Sequence, residues 1–245
     1  MGVLGKATGD LTTGCGGRSA SRPAAEPERY AANHGPMATA MKAYKFRDVE
    51  HLNRVTDILI NRRLWCADVR TLNDIREADI RVGNDRGQEV DLFQFGLKVS
   101  KAISDWRVCS LCKTFDHDLL WAHYADGSRG VAIEVSVPSG DAIPVTYSDD
   151  FVFLSDYVEA GVDAAVRAAL TRKTKAWQYE KEVRIVTRSH FYDVAEPIRR
   201  VIIGSRIEPP ILRALAEVCA AHGIPMERAV VADWGRYTVG VQEFA

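Results

Sequence analysis

The run Lys173-Thr-Lys-Ala-Trp177-Gln-Tyr179-Glu180-Lys-Glu182-Val-Arg184-Ile-Val186 is the densest collection of reactive groups in the chain. Read as extended backbone from Tyr179 to Val186, it sends alternate side chains to opposite faces. Tyr179, Val183 and Ile185 then face one way, and Glu180, Glu182 and Arg184 the other. Carboxylates two positions apart on such a strand stand roughly 7 Å from each other. A carboxylate pair beside a guanidinium can polarise a hydroxyl or stabilise a developing cation. The same pattern also describes a solvated strand face with a surface ion pair, which adds little stability.

A second cluster runs Leu120-Trp121-Ala-His123-Tyr124-Ala-Asp126-Gly127-Ser128-Arg-Gly130. Asp126-Gly127 signals a tight turn, and Gly130 permits close backbone approach. His123 and Tyr124 can line a pocket for a planar ring, or Trp121 and Tyr124 can pack in the core while His123 satisfies a backbone group. A third cluster holds Asn73, Asp74 and Glu77, where Glu77 three residues after Asp74 resembles a helix start. Its polar density makes Asn73 a candidate pocket wall. Cys109-Ser-Leu-Cys112 has the spacing of a metal or redox pair, but a lone pair is a weak signal and no metal ligands are assigned. Neither a G-x-S-x-G elbow nor an H-E-x-x-H helix occurs.

Several elements must position these groups. Tyr44 to Arg47 alternates like a strand, after which Asp48 can cap a helix with Val49, Leu52, Val55, Ile58 and Leu59 on one face. A second amphipathic helix is expected from about Val90 to Trp106. A third is expected from Asp156, with Glu159 completing a capping box, and a fourth from Pro209 to Gly223. Strand-like runs fall at 106–109, 130–135, 143–147, 183–187, 201–203, 229–232 and 237–242. Short strands mixed irregularly with helices predict an α+β domain, with a mixed, mainly antiparallel sheet flanked by helices. No glycine-rich phosphate loop follows a strand, which argues against Rossmann and P-loop folds.

The 245 residues suffice for one large domain, and 47% hydrophobic with 27% charged residues excludes wholesale disorder. Seven of the 18 glycines lie in the first 36 positions, where large apolar residues are scarce. Residues 1–41 are therefore expected to form a flexible tail, and residues 42–245 a single domain. A net charge of −1 gives no global attraction to nucleic acid, although a local basic patch remains possible. No apolar run of about eighteen residues is present, so no membrane partner is expected. Five cysteines without a secretory leader point to reduced thiols in a cytoplasmic protein.

Taken in order, these segments resemble the family known as domain of unknown function 2971. The resemblance rests on Tyr44-Lys-Phe-Arg47, Leu64-Trp65 with Leu72-Asn73-Asp74 and Glu77, and Leu120-Trp121-Ala-His123-Tyr124-Ala-Asp126. It continues through Tyr147-Ser148, Lys173, Trp177, Tyr179-Glu180, Glu182, Arg184 and Val201-Ile-Ile-Gly204. Ile75 replaces a usual proline and Ser128 a frequent histidine. More distantly, the opening strand, the following helix and the late strand glutamate resemble ADP-ribosyltransferases, among them DNA-targeting toxins and RNA 2′-phosphotransferases.

That resemblance implies NAD as co-substrate and a nucleic-acid or protein acceptor, in a toxin or antiviral defence effector. It implies catalytic roles for Glu182, Tyr124 and His123. Cofactor contacts would come from Tyr44, Arg47, Asn73, Trp121, Trp177, Tyr179, Glu180 and Arg184, with Arg47 and Arg184 on the diphosphate. Cleavage of the nicotinamide–ribose bond passes through an oxocarbenium-like state, which a carboxylate stabilises. Two other functions fit the residues: a non-catalytic module that binds a nucleotide or a partner, and a metal-dependent hydrolase or nuclease using Asp74, Glu77, Glu180 and Glu182.

Overall fold

Strand β1 (Ala40–Arg47) is the spine of a computed structural model that describes residues 39–74, 76–81, 83, 91–231 and 237–240. The chain continues through α1 (Leu52–Asn61), β2 (Arg63–Trp65), β3 (Ala67–Asp68), β4 (Ile80–Arg81), α2 (Leu92–Ile103), β5 (Arg107–Cys112) and α3 (Asp118–Tyr124). Next come β6 (Val131–Pro138), β7 (Ile143–Pro144), β8 (Thr146–Tyr147), β9 (Val152–Phe153) and α4 (Val162–Leu170). The last elements are β10 (Arg172–Lys173), β11 (Glu182–Thr187), β12 (Phe191–Asp193), β13 (Arg200–Ile203), α5 (Pro209–Ala221), β14 (Met226–Val231) and β15 (Tyr237–Gly240). The main sheet runs β15-β14-β13-β6-β1-β5-β11-β7, with β3 added alongside β5. Only β13 and β14 are parallel neighbours in it, so the expected α+β class with a mixed, mostly antiparallel sheet is what the chain forms.

Apolar alternation fixes which face each helix covers. One face carries Ala43, Leu111, Ile133, Val183 and Val201, packed with Val55 and Leu59 of α1 and Leu215 of α5. The other face carries two separate clusters. Tyr44, Phe46 and Ala132 pack under Leu120 and Trp121 of α3, whereas Val108 packs with Phe95 and Val99 of α2 and Val166 of α4.

Local signals succeeded where the chemistry was self-contained. Asp91 caps α2 by accepting from the Gln94 amide at 3.0 Å. Asp126 and Gly127 both take positive φ, at 48° and 59°, and a Cβ on Gly130 would run into the Arg47 carbonyl oxygen.

Other expectations require correction. Helix α1 starts at Leu52 rather than at Asp48, whose carboxylate instead accepts the His51 amide within the entry turn. Asp156 ends a 3-10 turn, and α4 begins only after Gly161, at φ 88°. Asp74 and Glu77 close a turn, with Asp74 accepting from the Arg76 amide at 2.9 Å, and residues 76–81 are not helical. The run 143–147 divides into β7 and β8 on different sheets, and α3 is a helix the periodicity did not mark. The expected tail to residue 38, Ile75, Val90, Ala232 and residues 241–242 lie outside the described residues, whereas 39–41 are ordered, with 40–41 opening β1.

Candidate functional site

Strands β1 and β5 share a single rung, Tyr44 opposite Cys112, and Cys112 in turn faces Glu182 on β11. Past that rung β5 takes β3 as its neighbour, at Ala67–Val108 and Asp68–Arg107, while β1 stays with β6. The sheet therefore forks. A cavity of about 1000 Å³, at the upper end of ligand-sized clefts, is lined by both arms of the fork.

At one end of the cleft lies a buried charged network. Lys173 Nζ sits 2.7 Å from Glu180, 3.5 Å from Glu182 and 3.9 Å from Glu77. Arg184, 1% exposed, uses all five of its N–H donors on Glu182, Glu77 and the Leu170 carbonyl. Tyr124 donates to Glu180 and accepts from the Asn73 amide at 2.5 Å. The Glu182 amide donates to the Tyr147 hydroxyl at 2.7 Å.

The chain between the two glutamates is not extended. Lys175–Glu180 is a 3-10 turn, Lys181 takes φ 45°, and the strand begins at Glu182. This corrects the alternating strand read from the sequence. Glu180 and Glu182 meet one another around Lys173 inside the protein, not on a solvated face.

Their environments set different protonation. Burial pushes the Glu182 carboxyl up, but Arg184 and Lys173 outweigh it and hold it below the ordinary carboxylate value. Glu180 ends above that value, because desolvation outweighs Lys173 and the Tyr124 hydrogen bond. Burial and the neighbouring Glu180 drive the Tyr124 hydroxyl far above the usual phenol range, so it remains a donor.

The cleft also holds cations without carboxylate partners. Arg47 has its Nε buried with no hydrogen-bond partner, and burial lowers its pKa, with the nearby Arg54 guanidinium adding repulsion and Asp48 a weaker attraction. Lys45 Nζ donates to the Ser110 carbonyl at 2.8 Å across the fork, and burial pulls its pKa down. An anion entering here would relieve both the orphaned donor and the repulsion.

Of the residues singled out from sequence, Tyr44, Arg47, Asn73, Tyr124, Glu180 and Glu182 all line this cleft. Five others do not. Trp121 is fully buried under Phe46 and donates its indole N–H to the Phe115 carbonyl. His123, Trp177 and Tyr179 form an aromatic group outside the cleft wall, next to Tyr124. Arg184 has no donor left for a diphosphate, so it positions Glu182 instead.

Cys109 and Cys112 cannot grip one ion, because residues three apart on a strand point to opposite faces and belong here to different apolar clusters. The four carboxylates imagined around a metal fare no better. Glu77, Glu180 and Glu182 do converge, but on Lys173, and among the described residues no group of three or more ligands is arranged for a metal ion.

Sequence reasoning missed Lys45, Arg54 and Lys173 as site groups. Lys173 stood in the densest segment, yet its partner Glu77 lies almost a hundred positions away, a distance no local pattern spans. The chain matches no family model, no curated protein and no solved structure.

Proposed function

We propose that the fork binds NAD and cleaves its nicotinamide–ribose bond, transferring ADP-ribose to an acceptor. The observation that carries this is the polarity of the cleft. Its lining presents a buried carboxylate held ionised, Glu182, together with Arg47 and Arg54, which form no ion pair among the described residues. The lining carboxylates Asp57 and Asp68 are taken by Arg63 and Arg70. NAD has the complementary layout, a diphosphate at its centre and a glycosidic carbon that becomes cationic as nicotinamide leaves.

In this reading Arg47 and Arg54 take the diphosphate through charge-assisted N–H bonds. Glu182 faces the oxocarbenium-like centre, and its ionised state costs no reorganisation at the moment of cleavage. Glu180, whose pKa is raised, accepts the proton of the attacking hydroxyl, with Tyr124 and Asn73 holding its orientation. The distant resemblance to ADP-ribosyltransferases, among them toxins, supports the same assignment of Arg47 and Glu182.

The test is nicotinamide release from NAD, followed chromatographically, with DNA, RNA and protein acceptors offered. Wild type is expected to release nicotinamide, and Glu182→Gln, shown folded by circular dichroism, to lose at least about 100-fold. Full turnover in a folded Glu182→Gln protein would sink the assignment, as would no release by wild type with any acceptor. A nucleotide sensor without turnover is favoured by one observation, the engagement of both Glu182 oxygens by Arg184. It would show ligand-induced stabilisation and no product.

A further inference from the structure

Two thiols meet in the arm of the fork that β3 and β5 build. Ala67 pairs with Val108 and Asp68 with Arg107, so the same register carried one step back sets Cys66 opposite Cys109. Residues opposed on antiparallel strands have Cα atoms about 4.5 to 5.5 Å apart, inside the span that a disulfide bridges. Both side chains are fully buried and belong to one apolar cluster, so they stand on the same face of the sheet. Cys112 belongs to the cluster on the other face.

The pair is chemically unequal. Cys66 and Cys109 hydrogen-bond to one another, and the Cys66 sulfur also lies 3.7 Å from the Leu64 carbonyl oxygen. With two acceptors in reach Cys66 keeps its proton, and its bond to Cys109 together with burial raises its pKa. Cys109 accepts that bond, and with Lys45 and Arg47 nearby its thiol falls below the ordinary value despite burial. A thiolate flanked by cations and held against a second thiol is the arrangement that oxidation couples. The residues next to them in sequence, Ala67 and Val108, line the cavity together with Lys45, which gives a small oxidant its approach.

We propose that Cys66 and Cys109 form a reversible disulfide that ties β3 to β5 and strengthens anion binding in the cleft. The oxidant is a hydroperoxide, hydrogen peroxide being the simplest. The Cys109 thiolate attacks one peroxide oxygen, the O–O bond breaks, and the departing hydroxide is protonated to water. The Cys66 sulfur then attacks the resulting sulfenic acid. The S–S bond forms as the S–O bond breaks, and the Cys66 proton leaves with that oxygen as a second water. The two thiols lose two electrons, which the peroxide gains.

The effect on the cleft follows from charge. Cys109 is the foremost group favouring the charged forms of both Lys45 and Arg47. A disulfide cancels its negative charge, so an anion entering the cavity meets these cations without that competitor. The bond forms without NAD, and pyrophosphate reads the cleft without turnover, so this switch and the NAD reading fail separately.

The test takes the full chain, reduced and then treated with hydrogen peroxide, and maps its non-reduced peptides by mass spectrometry. A Cys66–Cys109 link that dithiothreitol reverses is expected. Cys112→Ala should keep the link and Cys109→Ala should abolish it. Pyrophosphate binding, followed by calorimetry, should tighten at least about 3-fold when wild type is oxidised, the effect of one unit charge in a water-filled cleft. Cys109→Ala should not respond to peroxide.

A peroxide-treated protein without the linked peptide would overturn the disulfide, as would a bond from Cys109 to Cys112, Cys219 or Cys15. Equal pyrophosphate affinity in the two states, or no binding in either, would overturn its effect on the cleft.

Discussion

Glu180 and Glu182 stand two positions apart and share Lys173, yet burial raises the first carboxyl while Arg184 and Lys173 depress the second. The consequences for stability have opposite signs. Glu182 stabilises the fold above its unfolded pKa, and that contribution is lost as pH falls through its depressed value. Ionised Glu180 costs stability, so the wild type loses it as pH rises from the ordinary value of 4.5 towards the raised one. Glu180→Gln does not titrate, and urea unfolding should show it gaining on the wild type across that window. Glu182→Gln should cost about 3 kcal/mol at neutral pH, because it leaves Arg184 and Lys173 short of a buried partner. An advantage of wild type over Glu180→Gln that grows with pH would contradict this account. The residues themselves were legible in the sequence. Their burial was not, because it depends on Lys173, Glu77 and Arg184 meeting from separate segments.

Helices α2 and α5 could be read from periodicity because each buries one stripe, with Pro209 and Pro210 marking the start of α5, although α2 spans Leu92–Ile103 and so ends short of the expected Trp106. The seven-residue α3 escaped notice because such a short helix buries only Leu120 and Trp121, too few points to define a period. The capping-box pattern at Asp156 misled because Asp156 ends a 3-10 turn and its carboxylate accepts the Ser155 hydroxyl, while Gly161 supplies the entry to α4. The turn from α3 into β6 was foreseen, and it matters to the cleft. A Cβ on Gly130 would meet the carbonyl oxygen of Arg47, the residue whose guanidinium lines the fork. Gly130→Ala should therefore cost about 3 kcal/mol and disturb ligand binding with it. Thermal unfolding of the variant within a degree of wild type would show that the turn yields freely.

The whole chain carries a net charge of −1, a figure that hides two arginines without ion-pair partners among the described residues, Arg47 and Arg54, in the lining of one cleft. Composition excluded only a global attraction to polyanions and left a local basic patch open, and Arg47, Arg54 and Lys45 in one cavity are such a local group. ADP-ribose at about 100 times its Kd should stabilise the protein by about 2.7 kcal/mol, read by thermal shift, and Arg47→Ala should lose most of the gain. An equal shift in both proteins would place the diphosphate elsewhere. The fork itself has a price in colloidal behaviour. Unpaired strand edges normally invite strands from other molecules and lead to aggregation. Here the open edges of β1 and β5 lie in the middle of a sheet, with Arg54 and Ile58 of α1 and Trp65 of β2 among the walls of the opening, and Lys45 already occupies the Ser110 carbonyl. Backbone groups are thus kept available to a small ligand in a place that a foreign strand has little room to enter.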